Sequence, residues 1–316
     1  MTRRVLVITG PTATGKSALG VMLARRLSGE IISADSMQIY RGMDIGTAKI
    51  TADEMQGVPH HLLDVAEPGE DWSAARWVDA AAAAAEDVFG RGRVPLIVGG
   101  TGLYIDSLLS GRDFAENGGD GALREALGAE YDRVGGDAFR EQLRLVDPER
   151  AEKLHPADKK RLVRAMEVWR LTGETISAHD ARTQSLPKRW PSLRIALTWA
   201  DREALYARID RRVDEMAAAG LFEEVERLLA AGLSSESTAM QAIGYKEAAD
   251  CLLGRCTRAA AIDAIKRASR RYAKRQLTWL RRDAGLHWIA WEGAPDLAAA
   301  ADAVCALWQA GDGGNL

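Results

Sequence analysis

The sequence has few cysteines and no long apolar run. Its only three cysteines are Cys251, Cys256 and Cys305, and no paired Cys or His set with metal-ligand spacing accompanies them, which argues against a zinc site. No apolar run reaches the roughly eighteen residues that a membrane helix needs. The N-terminal residues pass from a charged pair straight into an apolar segment. We therefore expect no membrane partner, no signal peptide and a cytoplasmic location.

Acidic residues are absent from residues 264–282, although the whole chain of 316 residues carries a net charge of -3. The cations of this segment are Lys266, Arg267, Arg270, Arg271, Lys274, Arg275, Arg281 and Arg282. Their spacing stacks like charges at i, i+4 on a helix, which costs roughly 0.2–0.5 kcal/mol per pair. The pattern favours an anionic partner such as nucleic acid. Pairing with acidic neighbours elsewhere in the fold is the alternative.

A second basic cluster opens another predicted helix. Lys159, Lys160, Arg161 and Arg164 supply its charge, and the apolar residues Leu162, Val163, Met166 and Trp169 follow a helical period. Two basic helices indicate an extended ligand.

A glycine-rich loop, GPTATGKS at residues 10–17, follows the apolar run 5–8 and precedes residues with helical periodicity. Its members are Gly10, Pro11, Thr12, Ala13, Thr14, Gly15, Lys16 and Ser17. In a strand–loop–helix arrangement of this kind, backbone N–H groups, the helix dipole and the charge of Lys16 all point at one position, where phosphate groups can bind. The Ser17 hydroxyl can bind a Mg²⁺ ion that is held by the same phosphates. The pattern predicts a diphosphate site. Most such loops bind ATP or GTP, and a chance Gly/Thr-rich turn is the alternative.

Two further loops follow predicted strands. Asp35 lies after the apolar segment 31–33, where open parallel sheets collect their ligands, so it is a candidate to accept a proton or to hold Mg²⁺ through water. Capping of a turn is the alternative role. Residues 99–102, Gly-Gly-Thr-Gly, follow the strand-like run 94–98 and allow close approach of a substrate near Thr101. Arg208 and Arg212 are spaced to clamp a diphosphate or to form surface ion pairs.

The strand signal disappears between residues 116 and 189 and resumes at 193–199. A helical insertion therefore interrupts one α/β domain, made of residues 1–115 and 190–316. We expect the basic helix of the insertion to face the same cleft. The segment Asn-Gly-Gly-Asp-Gly at residues 117–121 predicts a hinge or linker into the insertion, and the glycine-rich C-terminal residues 311–315 predict a frayed end.

Seven sequence blocks together resemble the tRNA dimethylallyltransferases, also called tRNA isopentenyltransferases, over nearly the whole chain. The blocks are GPTATGKS (10–17), DSMQIYRGMDIGTAK (35–49), PHHL (59–62), VGGTGLY (98–104), RLVRAME (161–167), QAIGYKE (241–247) and YAKRQLTWLR (272–281). The resemblance implies a P-loop NTPase-like α/β fold, with a parallel sheet, flanking helices and a helical insertion domain that contacts the tRNA anticodon stem-loop.

The same resemblance implies transfer of a dimethylallyl group from dimethylallyl diphosphate to the exocyclic amine of the adenosine 3′-adjacent to the anticodon, with release of diphosphate. The phosphate loop would then hold the prenyl diphosphate with Mg²⁺ rather than ATP. Asp35 matches the catalytic acid of the family, Thr101 a contact to the target base, Arg208 a stabiliser of the departing diphosphate and Ser17 the metal ligand. The fold implies a monomer.

Matching residues also predict the surface that contacts tRNA. They are Asp35, Ser36, Met37, Gln38, Thr101, Arg124, Lys160, Arg161, Leu162, Val163, Arg164, Met240, Gln241, Ala242, Ile243, Gly244, Tyr245, Lys274, Arg275, Gln276, Thr278, Trp279 and Arg281. The family's linker before Arg124 is usually proline-rich, whereas segment 114–122 is glycine- and acid-rich here.

Three other functions remain open at this stage. An ATP-dependent small-molecule kinase explains the loop and Asp35 but leaves the basic helix of residues 264–282 without a role. A prenyltransferase acting on free adenine nucleotides shares the loop, but the helical insertion argues against it. A non-enzymatic RNA-binding protein would be indifferent to loss of the Lys16 charge.

Overall fold

The computed structural model describes residues 3–111 and 121–312. It divides into two compact units, one of Met1–Leu108 with Trp190–Leu316 and one of Leu109–Arg189. The predicted domain boundary at 115/116 and residues 117–120 of the predicted linker lie outside the described residues, as do residues 313–315 of the predicted frayed end.

The first unit contains a six-stranded parallel sheet in the order β3-β2-β4-β1-β5-β6. Its strands are β1 (Val5–Thr9), β2 (Gly29–Ser33), β3 (His60–His61), β4 (Val94–Val98), β5 (Ser192–Trp199) and β6 (His287–Trp291). The predicted α/β fold with one parallel sheet is confirmed. The four apolar runs read from the sequence became β1, β2, β4 and β5. Strands β3 and β6 were not predicted from the sequence, because β3 has only two residues and β6 is largely exposed.

Helices occupy most of the remaining described chain. They are α1 (Lys16–Arg26), α2 (Ala52–Met55), α3 (Ala74–Gly90), α4 (Gly102–Leu109), α5 (Gly121–Val134), α6 (Gly136–Val146), α7 (Pro148–Lys153), α8 (Lys159–Thr172), α9 (Ile176–Gln184), α10 (Arg202–Ala218), α11 (Leu221–Ala230), α12 (Tyr245–Leu252), α13 (Arg258–Leu280) and α14 (Leu297–Asp312), with a 3₁₀ turn at Ala239–Gln241. None of the helices among the described residues is long and apolar enough to cross a membrane.

One hydrophobic core of the first unit packs against the sheet. Leu6 and Ile8 of β1 alternate toward it, and Leu19 and Leu23 of α1 and Val304 of α14 cover them. Alternating side chains of a strand point to opposite faces, whereas i and i+4 of a helix share one. This packing fixes α1 directly behind the loop that joins it to β1.

The second unit is helical throughout its described residues, from α5 to α9. Its core gathers Phe139 and Leu143 of α6 with Leu162 and Met166 of α8. Burial of Leu162 and Met166 agrees with the apolar stripe predicted for the second basic helix. The basic residues Lys160, Arg161 and Arg164 are left on the exposed side of α8.

Candidate active site at the phosphate loop

The loop between β1 and α1 has two backbone conformations that require glycine. Gly10 has φ 140°, and a Cβ there would lie 2.3 Å from the carbonyl oxygen of Leu197 in β5. Gly15, at the N-cap of α1, has φ 86°. Both values fall in the region that L side chains avoid. Glycine at these two positions lets the chain leave the sheet and enter the helix within a few residues.

Carbonyl groups of the loop are turned toward the protein. The Trp291 indole N–H donates to the Thr14 carbonyl (3.0 Å) and the Trp199 indole N–H to the Ala13 carbonyl (3.3 Å). The first backbone bond of α1 joins Leu19 N to Gly15 O, so the N–H groups of residues 16–18 precede it. With the carbonyls engaged, the loop presents N–H groups and the positive end of α1 to an anion. The two tryptophans end β6 and β5 and carried no recognisable signal in the sequence.

Lys16 adds a charge that is poorly stabilised in the free protein. Its ammonium donates to the Pro11 carbonyl (2.7 Å). Burial, and next the positive charge of Arg212, lower the pKa of Lys16 to about 7, while Asp35 acts in the opposite direction. A diphosphate would supply the negative charge that this environment lacks.

Arg212 and Arg208 of α10 line the same cleft as Lys16. Burial lowers the pKa of Arg212; Asp35 opposes that shift, and Arg208 adds to it. Arg208 is more open: its side chain is 44% exposed and its guanidinium lies 3.8 Å from Glu215. The spacing in the sequence predicted that both arginines could clamp the diphosphate, and the resemblance assigned that role to Arg208. The structure distinguishes the two, because Arg212 is coupled to both Lys16 and Asp35.

Asp35 caps a turn and also faces the cleft, so the two roles left open by the sequence coexist. Its Oδ1 accepts hydrogen bonds from the backbone N–H groups of Met37 (2.9 Å) and Gln38 (3.3 Å). Among the residues that the structure describes, no hydrogen bond reaches Oδ2. The turn thereby holds the carboxylate in place through one oxygen and leaves the other for a ligand.

Thr101 lies beside Asp35 because two loops meet closely. Its hydroxyl accepts a hydrogen bond from Ser36 N (3.2 Å), and its own N–H donates to the Ala34 carbonyl (3.1 Å). A Cβ at Gly99 would lie 2.2 Å from that carbonyl, so glycine permits the approach. Burial, and then the charge of Asp35, raise the pKa of the neighbouring Tyr272 to about 12. Tyr272 was not among the site residues predicted from the sequence.

Gln276 of α13 ties these loops together. Its side-chain oxygen accepts from Thr12 N (3.1 Å) and its amide nitrogen donates to the Gly100 carbonyl (2.9 Å). Gln276 is only 8% exposed. In the free protein it therefore braces the phosphate loop against the glycine-rich loop after β4.

The cleft formed by these groups has a volume of about 1320 Å³. Residues 12–17 of the phosphate loop and residues 35–38 line it, as do Arg208 and Arg212. So do Gln241, Ala242, Ile243, Arg275 and Gln276 among the residues predicted to contact tRNA. The structure thus brings the predicted diphosphate site, the candidate catalytic acid and part of the predicted tRNA surface to one place.

The residues predicted to contact tRNA differ widely in burial. Leu162, Val163, Met240, Ala242 and Tyr245 are buried. Lys160, Arg161, Arg164, Lys274, Arg275, Thr278, Trp279 and Arg281 are exposed.

Several of these side chains also have partners within the protein. In the second unit, Arg124 and Arg164 both pair with the buried carboxylate of Glu167. In the first unit, the Trp279 indole donates to Asp106 (2.7 Å).

The long basic helix, α13, has two kinds of cation. Lys266 and Arg270 pair with Asp214 and Asp210 of α10. Arg267, Arg271 and Lys274 are exposed, and no acidic partner of theirs occurs within residues 3–111 and 121–312. Pairing with acidic neighbours, one of the two alternatives read from the sequence, therefore holds for one side of the helix. The anionic partner of the exposed side stays a prediction.

Metal binding at this site would depend on the ligand. No group of three or more His, Cys, Asp or Glu side chains in the described part of the chain is placed to hold a metal ion. Ser17 is exposed in the cleft at the start of α1. Mg²⁺ commonly takes one or two protein oxygens and completes its shell with phosphate oxygens and water. The donor set present fits a magnesium ion carried with a diphosphate.

A parallel sheet with a glycine-rich Lys-Ser loop at the carboxyl end of β1 defines a phosphate-loop α/β protein. Comparison with known families narrows this class. The IPP transferase family matches residues 38–283, and the isopentenyl transferase family matches residues 3–67. The tRNA dimethylallyltransferase of Geobacillus thermodenitrificans is 49% identical over 92% of this chain and 91% of its own. That of Caldanaerobacter subterraneus is 45% identical over 92% of each chain.

Solved structures agree. The tRNA isopentenylpyrophosphate transferase from Bacillus halodurans superposes with a TM-score of 0.72 at 41% identity, covering 96% of both chains. A eukaryotic dimethylallyltransferase acting on tRNA gives a TM-score of 0.78 at 29% identity, over 93% of this chain and 75% of that one. The chain belongs to the IPP transferase family, the tRNA dimethylallyltransferases, and the resemblance seen in its sequence blocks is confirmed.

Proposed function

We propose that this protein transfers the dimethylallyl group of dimethylallyl diphosphate to the exocyclic amine of the adenosine 3′-adjacent to the anticodon of tRNA, releasing diphosphate. One observation carries the proposal beyond family membership. Asp35, a carboxylate with one oxygen open, lies in the same cleft as the phosphate loop, Lys16 and Arg212. An acid that can take a proton and a cradle for a leaving diphosphate are the two parts that this transfer requires.

The leaving group determines the electrostatics of the reaction. The bond between the prenyl carbon and the diphosphate oxygen breaks as the bond from that carbon to the adenine nitrogen forms. Negative charge builds on the departing diphosphate, where the loop N–H groups, Lys16 and Arg212 meet it. Arg208, more exposed at the side of the cleft, contributes from further out. A magnesium ion bound by Ser17 and the diphosphate oxygens would neutralise part of the same charge.

Asp35 acts on the proton of the adenine amine that accepts the prenyl group. The amine nitrogen loses one proton as it gains the prenyl carbon, and Asp35 Oδ2 accepts that proton. The turn through Met37 and Gln38 holds Oδ1, so the acid is oriented before substrate arrives. Thr101, whose hydroxyl accepts a hydrogen bond from Ser36 N, contacts the base in this proposal, as the resemblance implies. The base must leave its stack to reach this depth, which costs a few kcal/mol.

Exposed cations supply affinity for the RNA. Arg267, Arg271 and Lys274 form a solvent-facing row on α13, and Lys160 and Arg161 lie exposed at the start of α8. Phosphate contacts provide most of the binding free energy in such complexes, while base contacts select the site. The proposal places the enzyme in the cytoplasm, because its substrate tRNA is there. It also includes a monomeric state, as the fold implies.

Label transfer tests the function directly. Purified protein is incubated with Mg²⁺, labelled dimethylallyl diphosphate and unmodified tRNA that has adenosine at the position following the anticodon. The wild-type protein should label that adenosine. Asp35→Asn keeps the size of the side chain and an oxygen for the turn but cannot take the proton, so label should be lost. Asp53→Asn, on the exposed surface of α2, is the matched control and should behave as wild type.

Each alternative predicts another result. Label on free AMP rather than tRNA would identify a prenyltransferase of free nucleotides. ATP consumption with small molecules and no prenyl transfer would identify a kinase. Binding of tRNA without any transfer would leave an RNA-binding protein.

A further inference from the structure

A buried carboxylate of α11 lies behind one wall of the active-site cleft. Glu224 is 2% exposed, and its two oxygens accept four hydrogen bonds. Oε2 accepts from the backbone N–H groups of Asp44 (3.0 Å) and Ile45 (2.9 Å), and Oε1 accepts from Gly46 N (3.1 Å) and the Tyr245 hydroxyl (2.5 Å). A carboxylate is the side chain that accepts this many bonds at once.

The segment held by Glu224 faces the cleft. Asp44, Ile45 and Gly46 all line the cleft, and their backbone N–H groups bind the buried carboxylate of Glu224. Tyr245 fills the space behind: a Cβ at Gly46 would lie 2.4 Å from its ring. Burial, and next the charge of Glu224, raise the pKa of Tyr245, so its hydroxyl keeps the proton that it donates. Glu224 and Tyr245 therefore form a two-residue support, here named the Glu224–Tyr245 brace.

The braced wall connects to the catalytic acid. The Gln38 side-chain amide donates to the carbonyls of Thr47 (3.2 Å) and Ala48 (3.3 Å), the residues next to those that Glu224 holds. The Gln38 backbone N–H in turn donates to Asp35 Oδ1. Hydrogen bonds thus run from Glu224 through the wall to Gln38 and from there to Asp35.

The charge of Glu224 is balanced without a cation. Within the described ranges it has no Lys, Arg or His partner, in contrast with the buried Glu167, which has two arginines. Three backbone N–H groups from one turn and the N-terminal end of α11 supply the positive field instead. A carboxylate held this way is committed to a single backbone segment, and that segment is the cleft wall.

We infer that Glu224 and Tyr245 are positioning residues for prenyl transfer: the brace holds residues 44–46 as a rigid wall of the cleft and, through Gln38, sets the orientation of Asp35. The inference rests on the proposed function. It also gives the buried Tyr245, which the sequence resemblance connected with tRNA, a role exerted through the wall.

Two variants disturb the brace from opposite sides. Glu224→Gln keeps the shape but replaces one acceptor oxygen by an amide nitrogen. Gly46→Ala leaves Glu224 intact and drives a methyl group into the Tyr245 ring. Because a shift of about 1 Å in a catalytic geometry costs up to about 100-fold in rate, kcat at saturating substrates should fall about 10- to 100-fold in both. Tyr245→Phe removes one of the four bonds, and its kcat should fall only about 2- to 5-fold.

The matched control and the second readout separate positioning from folding. Glu223→Gln alters the neighbouring exposed acid, which pairs with Arg258, and should leave kcat unchanged. For every variant, the circular-dichroism spectrum and the melting temperature are measured, and the Kd for tRNA is expected to stay within about twofold of wild type, since the phosphate contacts that provide its affinity are retained. A merely structural residue would lower the melting temperature and leave kcat of the folded protein unchanged.

The outcomes are decisive in each case. Glu224→Gln and Gly46→Ala variants that fold and keep kcat within about twofold of wild type would overturn the inference. If Glu224→Gln does not fold, Gly46→Ala decides on the same criterion. Failure of the wild-type protein to transfer label would instead overturn the proposed function, so the two failures are distinguishable.

Discussion

The two ends of the sheet carry similar charged residues in opposite electrostatic states. At the amino-terminal end of β2, the buried Glu30 binds Arg91 (2.7 Å) and His61 (2.7 Å), and hydrogen bonds to Glu30 and Asp87 raise the pKa of Arg91. At the carboxyl end, burial and like charges lower the pKa values of Lys16 and Arg212.

This difference separates structural from functional charge. Cations at the amino-terminal end already have their anions within the protein. At the carboxyl end, Lys16 and Arg212 repel each other, the charge of Asp35 offsets this only in part, and an anion that enters stabilises both. The ligand site can therefore be recognised by the direction of these shifts as well as by its loop.

The comparison is sharpest for one lysine and one arginine. Lys16→Met keeps the side-chain length but removes the charge that meets the leaving group, so kcat/KM for dimethylallyl diphosphate should fall about 100- to 1000-fold. Arg91→Met removes a cation of the other end. Its folded protein should keep wild-type kcat/KM and show a lower melting temperature. Steady-state kinetics and thermal unfolding of both variants check this, and a large loss of activity in Arg91→Met would break the distinction.

At the carboxyl end of the sheet, substitutions of the two arginines of α10 should differ in their effect on kcat. Arg212 is coupled to Lys16 and Asp35, whereas Arg208 is 44% exposed. We expect Arg212→Ala to lower kcat about 10- to 100-fold and Arg208→Ala to lower it about 2- to 10-fold, since charge interactions weaken in water. Kinetics at saturating tRNA measure both. The reverse order would make Arg208 the principal arginine, as the resemblance implied.

Protonation of Lys16 gives the comparison a pH dependence. With a pKa lowered to about 7, Lys16 is mostly neutral at pH 8 in the free protein. Bound diphosphate favours the ammonium and raises its pKa, so binding takes up a proton and affinity falls as pH rises above 7, by up to about tenfold per unit. Calorimetry of diphosphate binding in buffers of different ionisation enthalpy measures the uptake. Lys16→Met should lack this contribution, and equal uptake in both proteins would contradict it.

The same contrast recurs on α13 with a smaller expected effect. Arg271 is exposed without an acidic partner in the described chain, whereas Lys266 pairs with Asp214. Arg271→Ala should weaken tRNA binding about 2- to 5-fold and reduce the slope of log K against log salt by up to about 1. Lys266→Ala is the matched control and should leave both unchanged. Equal losses of tRNA affinity in the two variants would show that a cation paired with an acid of α10 still contributes to RNA binding.

Local patterns in the sequence predicted the parts of the fold that depend on neighbouring residues. Strands β1, β2, β4 and β5 each contain a short, mainly apolar segment, and the phosphate loop needs its two glycines within one short segment. Strand β6 could not be predicted in the same way. It is an edge strand, and only Trp291 of its five residues is buried.

Contacts between distant segments lay beyond such patterns. Gln276 joins two loops from a position more than 170 residues away from either. Glu224, an ordinary acid on a helix by its sequence, turns out to hold the cleft wall at residues 44–46. Which cations of α13 face acids and which face solvent likewise depended on where α10 packs.

The sequence by itself determined the parallel α/β class, the phosphate loop, the candidate acid Asp35 and the family, because each is a short run of residues whose chemistry is local or whose blocks recur in order. Only the tertiary structure decided which of these groups share one cleft, that Arg212 is coupled to Lys16, and that Glu224 supports the wall. The physical reason is that charge coupling and hydrogen bonding depend on distance in space, and packing of the sheet and helices sets that distance.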